Sequence, residues 1–282
     1  MKKTILSLSL ACLSLLSFAQ GQINTRKMII ADITSRTMKV VLTSNPFYDG
    51  LLKDEFAMRW HISPYEFCTL EEFEKLKTDG DTYFFLMTSG KFKKESEPGI
   101  QFLSVLKGGE KAAKGLDDMF NVVTMPFAAA DSPNGRETVF LPAFLDIMQE
   151  FIMTSMESDK DAYAGLQAFA IPLKQSKEMD VILADQDMSD EIKSENFDQY
   201  NIKTMDEDAC DEYMLGNVSG VLVSYTVCPA DPQPGSYCYK LLIDSGTHSM
   251  YYFKKHRISK KTGAGFLKND IVRIREERKG KI

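Results

Sequence analysis

Short runs of β-branched and aromatic residues alternate with amphipathic stretches along this chain, and the alternation occurs twice. The run Val40 to Leu42 breaks at polar positions and Pro46, and LLKDEFAMRW (51–60) then reads as a helix. Val181 to Leu183 opens the same way 141 residues later, and EIKSENFDQY (191–200) reads as the matching helix. Trp60 and Tyr200 close the two segments 140 residues apart, each followed by a polar residue and Ile. A second pair of helices begins at Thr69 (TLEEFEKLK) and Asp206 (DEDACDEYML), with Phe73 and Tyr213 again 140 apart. Thr69 and Glu72 have the spacing of a capping box, in which hydroxyl and carboxylate satisfy free N–H groups at the helix start.

The strongest strand signals follow. DTYFFLM (81–87) and SGVLVSY (219–225) are rich in aromatic and β-branched residues, and each leads through a loop to a second strand, GIQFLSVLKGG (99–109) and SYCYKLLIDSGTH (236–248). The offset is 138 from Tyr83/Val221 to Gly108/Gly246, so both hairpins have equal length. MFNVVTM (119–125) and SMYYFKKHRI (249–258) continue each unit as a further strand, and KMIIADI (27–33) reads as an extra strand before the first. In the second hairpin Val221, Val223, Tyr225, Val227, Tyr239, Leu241 and Ile243 share one face, predicted as core. Ser224, Thr226, Cys228, Cys238 and Lys240 share the other, predicted as mostly solvated. These patterns predict an α/β fold with mixed sheets (α+β in strand direction): two tandem, pseudo-equivalent strand–helix–strand–helix–hairpin units packed together. The first spans 27–130 and the second 179–282, with a helical insert at 131–178. Units of this kind, ending in LLIDSGT, resemble the α/β domains of envelope accessory proteins such as the TolB amino-terminal domain and the CsgG-like group. The resemblance is one of pattern and implies no catalytic residues.

Residues 1–19, MKKTILSLSLACLSLLSFA, have the three parts of a secretory signal: Lys2 and Lys3, an apolar run from Thr4 to Leu16, and small residues before a break at Ala19/Gln20. The run is shorter than a bilayer needs. Cys12 is a poor lipidation site, because Ser9 stands where Leu is expected. The Lys-Lys start and the Gln after the break resemble exported proteins of Bacteroidetes-type bacteria, which implies a periplasmic or extracellular location. Cleavage takes two lysines and no acid, moving the formal net charge from −6 to −8. Such a balance argues against general nucleic-acid binding. The most apolar later stretch, TVFLPAFLDIMQEFIMTSM from Thr138, is interrupted by Pro142, Asp146 and Glu150 and reads as a buried helix rather than a transmembrane span.

Candidate chemistry is sparse. The chain has three histidines: His61, His248 and His256. In DSGTH, neighbouring Asp244 and Ser245 would point to opposite faces, which favours a tight turn over a catalytic triad with His248. Trp60 and His61, with Tyr65 nearby, could line a pocket, but Tyr200 at the matching place favours a packing role for Trp60. Trp60, His61, Tyr65, Tyr200 and His248 are therefore the candidate binding residues. KTGAGFLKND (261–270) lacks the preceding strand a phosphate loop requires. Cys228 and Cys238 flank PADPQPGSY on one face and form either a disulfide or two free edge thiols. Cys68 and Cys210 read as singly buried. No Cys/His spacing suits zinc, and no cofactor motif occurs. Asp185 to Glu212 holds eleven acids, and Lys254 to Lys281 eleven lysines and arginines. The basic segment either pairs with the acidic one or meets an anionic envelope partner such as lipid headgroups or cell-wall polymer. The reading favoured is an exported, non-enzymatic envelope protein with a binding or assembly role. Two alternatives stand beside it: a hydrolase using His61 or His248 in a cleft between the units, and a homo-oligomeric structural protein joining through strand edges.

Overall fold

The computed structural model describes residues 14–16, 27–92, 95 and 97–281. The expected leader lies outside them, apart from a three-residue strand, β1 (Ser14–Leu16), which runs parallel to the end of β4 with Ser14 opposite Ser89. The protein is α/β, with two mixed sheets of like order. The first consists of β2 (Met38–Val41), β3 (Tyr65–Cys68), β4 (Tyr83–Lys91), β5 (Ile100–Lys107) and β6 (Phe120–Ala129), ordered β3-β2-β4-β5-β6. The second consists of β7 (Asp180–Ala184), β8 (Ile202–Met205), β9 (Val221–Val227), β10 (Tyr237–Asp244) and β11 (Met250–Arg257), ordered β8-β7-β9-β10-β11. In each, three parallel strands give way to antiparallel ones. The hairpin offset survives in the register: Phe85 pairs with Val105 and Val223 with Ile243, both 138 apart. Gly108 and Gly246 recur because the turn before each hairpin passes close by. A Cβ would lie 2.1 Å from the Asp79 carbonyl oxygen in one and 2.6 Å from Ser219 Cα in the other.

The connections differ. α1 (Lys27–Ile30) precedes the first sheet. α2 (Pro46–Arg59) links β2 to β3 and buries Leu52 and Phe56 in the core between the sheets. α3 (Leu70–Leu76), begun by the Thr69–Glu72 capping box, links β3 to β4 and buries Phe73 on the far side with Phe84 and Leu86. In the second unit the faces are exchanged. The β7–β8 link buries Ile192 and Phe197 on the far side, and α6 (Glu207–Leu215) buries Cys210 and Met214 in the central core. Parallel crossovers are right-handed almost without exception. Equal strand order with exchanged faces therefore means that the sheets turn non-equivalent faces toward the shared core.

The expected buried helix is α4 (Arg136–Glu157), the one helix among the described residues long and apolar enough to cross a bilayer. It lies against β6, α2 and α6 in the central core, with 13 of its 22 residues buried. α5 (Asp159–Phe169) turns at Gly165 (φ 73°) and packs on β11. Beyond the reach of α4 the sheets touch directly, with the Phe102 and Tyr239 rings 5.9 Å apart.

Three expectations are corrected. KMIIADI is not a strand: α1 and a 3₁₀ turn at Ile33–Ser35 place Ile30 and Ile33 in the central core, three residues apart as one helical turn requires. EIKSENFDQY forms no α-helix. Asn196 Oδ1 accepts the Asp198 N–H at 2.8 Å, and the segment ends in a 3₁₀ turn at Asp198–Tyr200, because short polar side chains compete for backbone groups. The second hairpin's polar face is largely covered: Ser224, Cys238 and Lys240 are fully buried. α7 (Lys268–Arg278) packs over it with Ile271 and Ile274, Lys240 pairs with Asp270, and Tyr252 donates to the same carboxylate at 2.7 Å. Part of the basic carboxy-terminal segment thus points inward, where Arg278 donates to the carbonyls of Ser176, Tyr200 and Asn201.

Candidate functional site

In an open α/β sheet, the carboxyl ends of two parallel strands form a crevice where successive connections leave in opposite directions. The first unit meets this condition between β2 and β4, because the chain leaves β2 toward β3 and returns across β2 to β4. A cavity of about 430 Å³ opens there. Leu42 and Thr43 line it from the end of β2, Leu86 to Ser89 from the end of β4, and Gln101 from β5; Tyr48 of α2 and Leu70 of α3 close its sides. Glu97 and Asp131 stand exposed at its rim, and no Lys, Arg or His among the described residues lines it.

Local hydrogen bonds tie much of this wall together. Ser44 takes a left-handed conformation (φ 66°) that ends β2 sharply. Asn45 caps α2 by accepting the Phe47 N–H at 3.0 Å, and Pro46 takes the first helical position, where its missing donor costs nothing. Asp49 Oδ1 accepts both the Thr43 N–H (2.6 Å) and its hydroxyl (2.8 Å), so the positive end of the helix already has its anion. The Tyr48 hydroxyl donates to buried Glu137 of α4 at 2.6 Å, and burial followed by that carboxylate raises the phenol pKa well above its usual value. The Thr88 hydroxyl is tied to Ser104, and Ser104 to Thr124, in a chain across three strands. One polar atom is left over: Gln101 Oε1 is buried with no hydrogen-bond partner among the described residues.

The second unit has the same crevice between β7 and β9, and there it is filled. Arg136, beside Glu137 at the start of α4, enters it at only 4 % exposure. Its guanidinium donates to Asp187 (2.9 Å), Asp211 (2.7 Å) and the Ser224 carbonyl (2.9 Å), and packs between the Phe140 and Tyr225 rings. Asp187 also accepts from the Ser224 and Thr226 hydroxyls at 2.5 and 2.6 Å. Thr226 follows Thr88 by the same 138 residues. Burial pushes the Asp211 carboxyl up to about 6 against the opposing pull of Arg136.

The candidates read from sequence lie elsewhere. Trp60 is 5 % exposed, stacks on Phe56 at 5.1 Å and donates to Ser63; Tyr65 packs edge-on against the same Phe56. Tyr200 ends the corresponding connection but packs on the far side of its sheet, under Arg275 and Lys279, so it does not share the environment of Trp60. His61 is exposed, and its Nδ1 meets the Arg59 carbonyl at 2.7 Å. His248 is buried, with Nδ1 2.6 Å from Asp146 of α4, whose carboxylate also binds Arg59 at 2.8 Å. The Ser245 hydroxyl goes to the Val218 carbonyl and Asp244 caps its own turn, so DSGTH makes no triad. Cys228 and Cys238 come together but hold free thiols, as do Cys68 and Cys210. Cys238 Sγ accepts the Gly265 N–H at 3.2 Å and faces the Tyr239 carbonyl at 3.7 Å. The cavity residues were missed. Their signal was LTSNP, a strand end running into a proline-started helix, which marks a crevice only once the strand order is known.

No protein-family model matches this chain, and comparison with curated proteins and with solved structures gave no match.

Proposed function

We propose that the protein is a binding component of the cell envelope that holds a small ligand in the crevice between β2 and β4. One observation carries this reading: of two equivalent crevices, one is closed by an arginine of the chain itself and the other is an apolar-walled cavity large enough for a small molecule. Export rests on the leader-like composition of residues 1–19, and a non-enzymatic role fits a wall whose polar groups are mostly tied to one another. The test is a small-molecule screen by ligand-observed NMR on the wild type and on two cavity-filling variants, Ala130→Trp and Leu42→Trp. Hits should vanish in both variants; hits that survive both place binding elsewhere and sink the reading.

A hydrolase reading has one observation in its favour, the His248–Asp146 pair beside Arg59 at the junction of α2 and α4. Esterase, glycosidase or peptidase turnover that disappears in His248→Ala would support it over binding alone.

A further inference from the structure

The filled crevice indicates what the open one accepts. Between β7 and β9 the occupant is a guanidinium whose aromatic neighbours hold its flat face while carboxylates take its N–H groups. Four features of the open crevice call for a ligand of the same chemistry. Among the described residues, the charged ones lining it, Glu97 and Asp131, are both acidic. The buried Gln101 Oε1 has no donor among the described residues. The α2 N-terminus, which could have attracted an anion, is capped by Asn45 and already carries the Asp49 carboxylate in its first turn. The remaining wall, Leu42, Leu70, Leu86 and Met87, suits an apolar body.

We infer that the ligand of the β2–β4 crevice carries a cationic nitrogen group, an amine or a guanidine, on a compact apolar body. The cationic head sits between the Glu97–Asp131 rim and Gln101, with an N–H donated to Gln101 Oε1, and the body lies against the leucines and Met87. This inference rests on the binding reading above and specifies its ligand.

The experiment compares probes that share one apolar body: hexylamine, hexylguanidine, hexanol and hexanoate, each titrated by calorimetry at physiological ionic strength. The amine and the guanidine should bind saturably, and hexanoate should not. The double variant Glu97→Gln/Asp131→Asn should weaken them by about three- to tenfold, the range expected when two exposed charge contacts are lost. Gln101→Leu should weaken them further, and Ala130→Trp should abolish binding. Hexanoate or hexanol binding as well as the amine, and lost in Ala130→Trp, overturns the cationic inference while leaving the cavity reading intact. Amine binding unchanged in Ala130→Trp overturns both, because the cation then meets only the acidic surface. Absence of saturable binding by the amine and the guanidine overturns the inference, and the broader screen then decides the reading on which it rests.

Discussion

The two crevices are built by the same strand order at the same switch point, yet one is plugged by Arg136 and the other is open. Neighbouring residues at the start of α4 serve both: Arg136 enters the second crevice, and Glu137 braces Tyr48 on the wall of the first. An α/β switch point leaves strand ends without a partner layer. Such a space can either be filled by a side chain of the chain itself or stay open as a cavity. The second unit spends its crevice on joining the insert to the sheet, and the first leaves a cavity among the described residues.

The sharpest way to break this comparison is Arg136→Ala. It leaves Asp187 and Asp211 buried without their cation and should lower stability by about 3–5 kcal/mol in urea unfolding. If Arg136 is a plug, millimolar ethylguanidine should restore part of the loss, and a variant indifferent to ethylguanidine would argue for packing alone. A somewhat smaller loss, about 2–3 kcal/mol, is expected for Lys240→Met, because Lys254 remains 3.3 Å from Asp270 to offset the unpaired charge. That variant tests whether the polar outer face of the second hairpin depends on its ion pair where the first unit uses Phe84 and Leu86.

The pH dependence of stability should report on the filled crevice. The Asp211 carboxyl titrates near 6 in the folded chain, above its ordinary 3.8, so the folded state holds the proton longer. Its contribution is present in full below about pH 4 and is lost as pH rises through about 6, a change of about 1–3 kcal/mol. Asp211→Asn should flatten the wild-type slope in that window, and equal slopes in the two proteins would refute the assignment. The smallest effect belongs to the open crevice. Ala130→Trp should change stability by less than about 1 kcal/mol, because the new ring enters existing space rather than a packed core. A loss as large as that of Arg136→Ala would mean that the first crevice is not free.

The failures of sequence reading share a physical origin. The constant 138-residue offset was legible because equal hairpins need equal lengths, and it reappears residue by residue in the pairing of Phe85 with Val105 and Val223 with Ile243. The burial of Ser224 and Lys240 was not legible, since period-two alternation marks them as solvent-facing, and what covers them is distant in sequence: Asp187 and Arg136 meet Ser224, and Asp270 of α7 pairs with Lys240. Trp60 and Tyr200 occupy the same step of their units, but crossovers on exchanged faces send them to different cores. The cavity was invisible because its walls come from β2, β4, β5, α2 and α3, which no local pattern joins.

By itself the sequence determined the repeated order of the strands within the two units, the Thr69–Glu72 cap, the buried character of α4 and the turn at DSGTH, because periodicity, capping and turn chemistry act over a few residues. The tertiary structure alone decided which face of each sheet meets the other, that Arg136 rather than solvent occupies the second crevice, and that the described residues leave the first open. Those outcomes depend on which distant side chains reach the ends of the same strands, and that is set by packing.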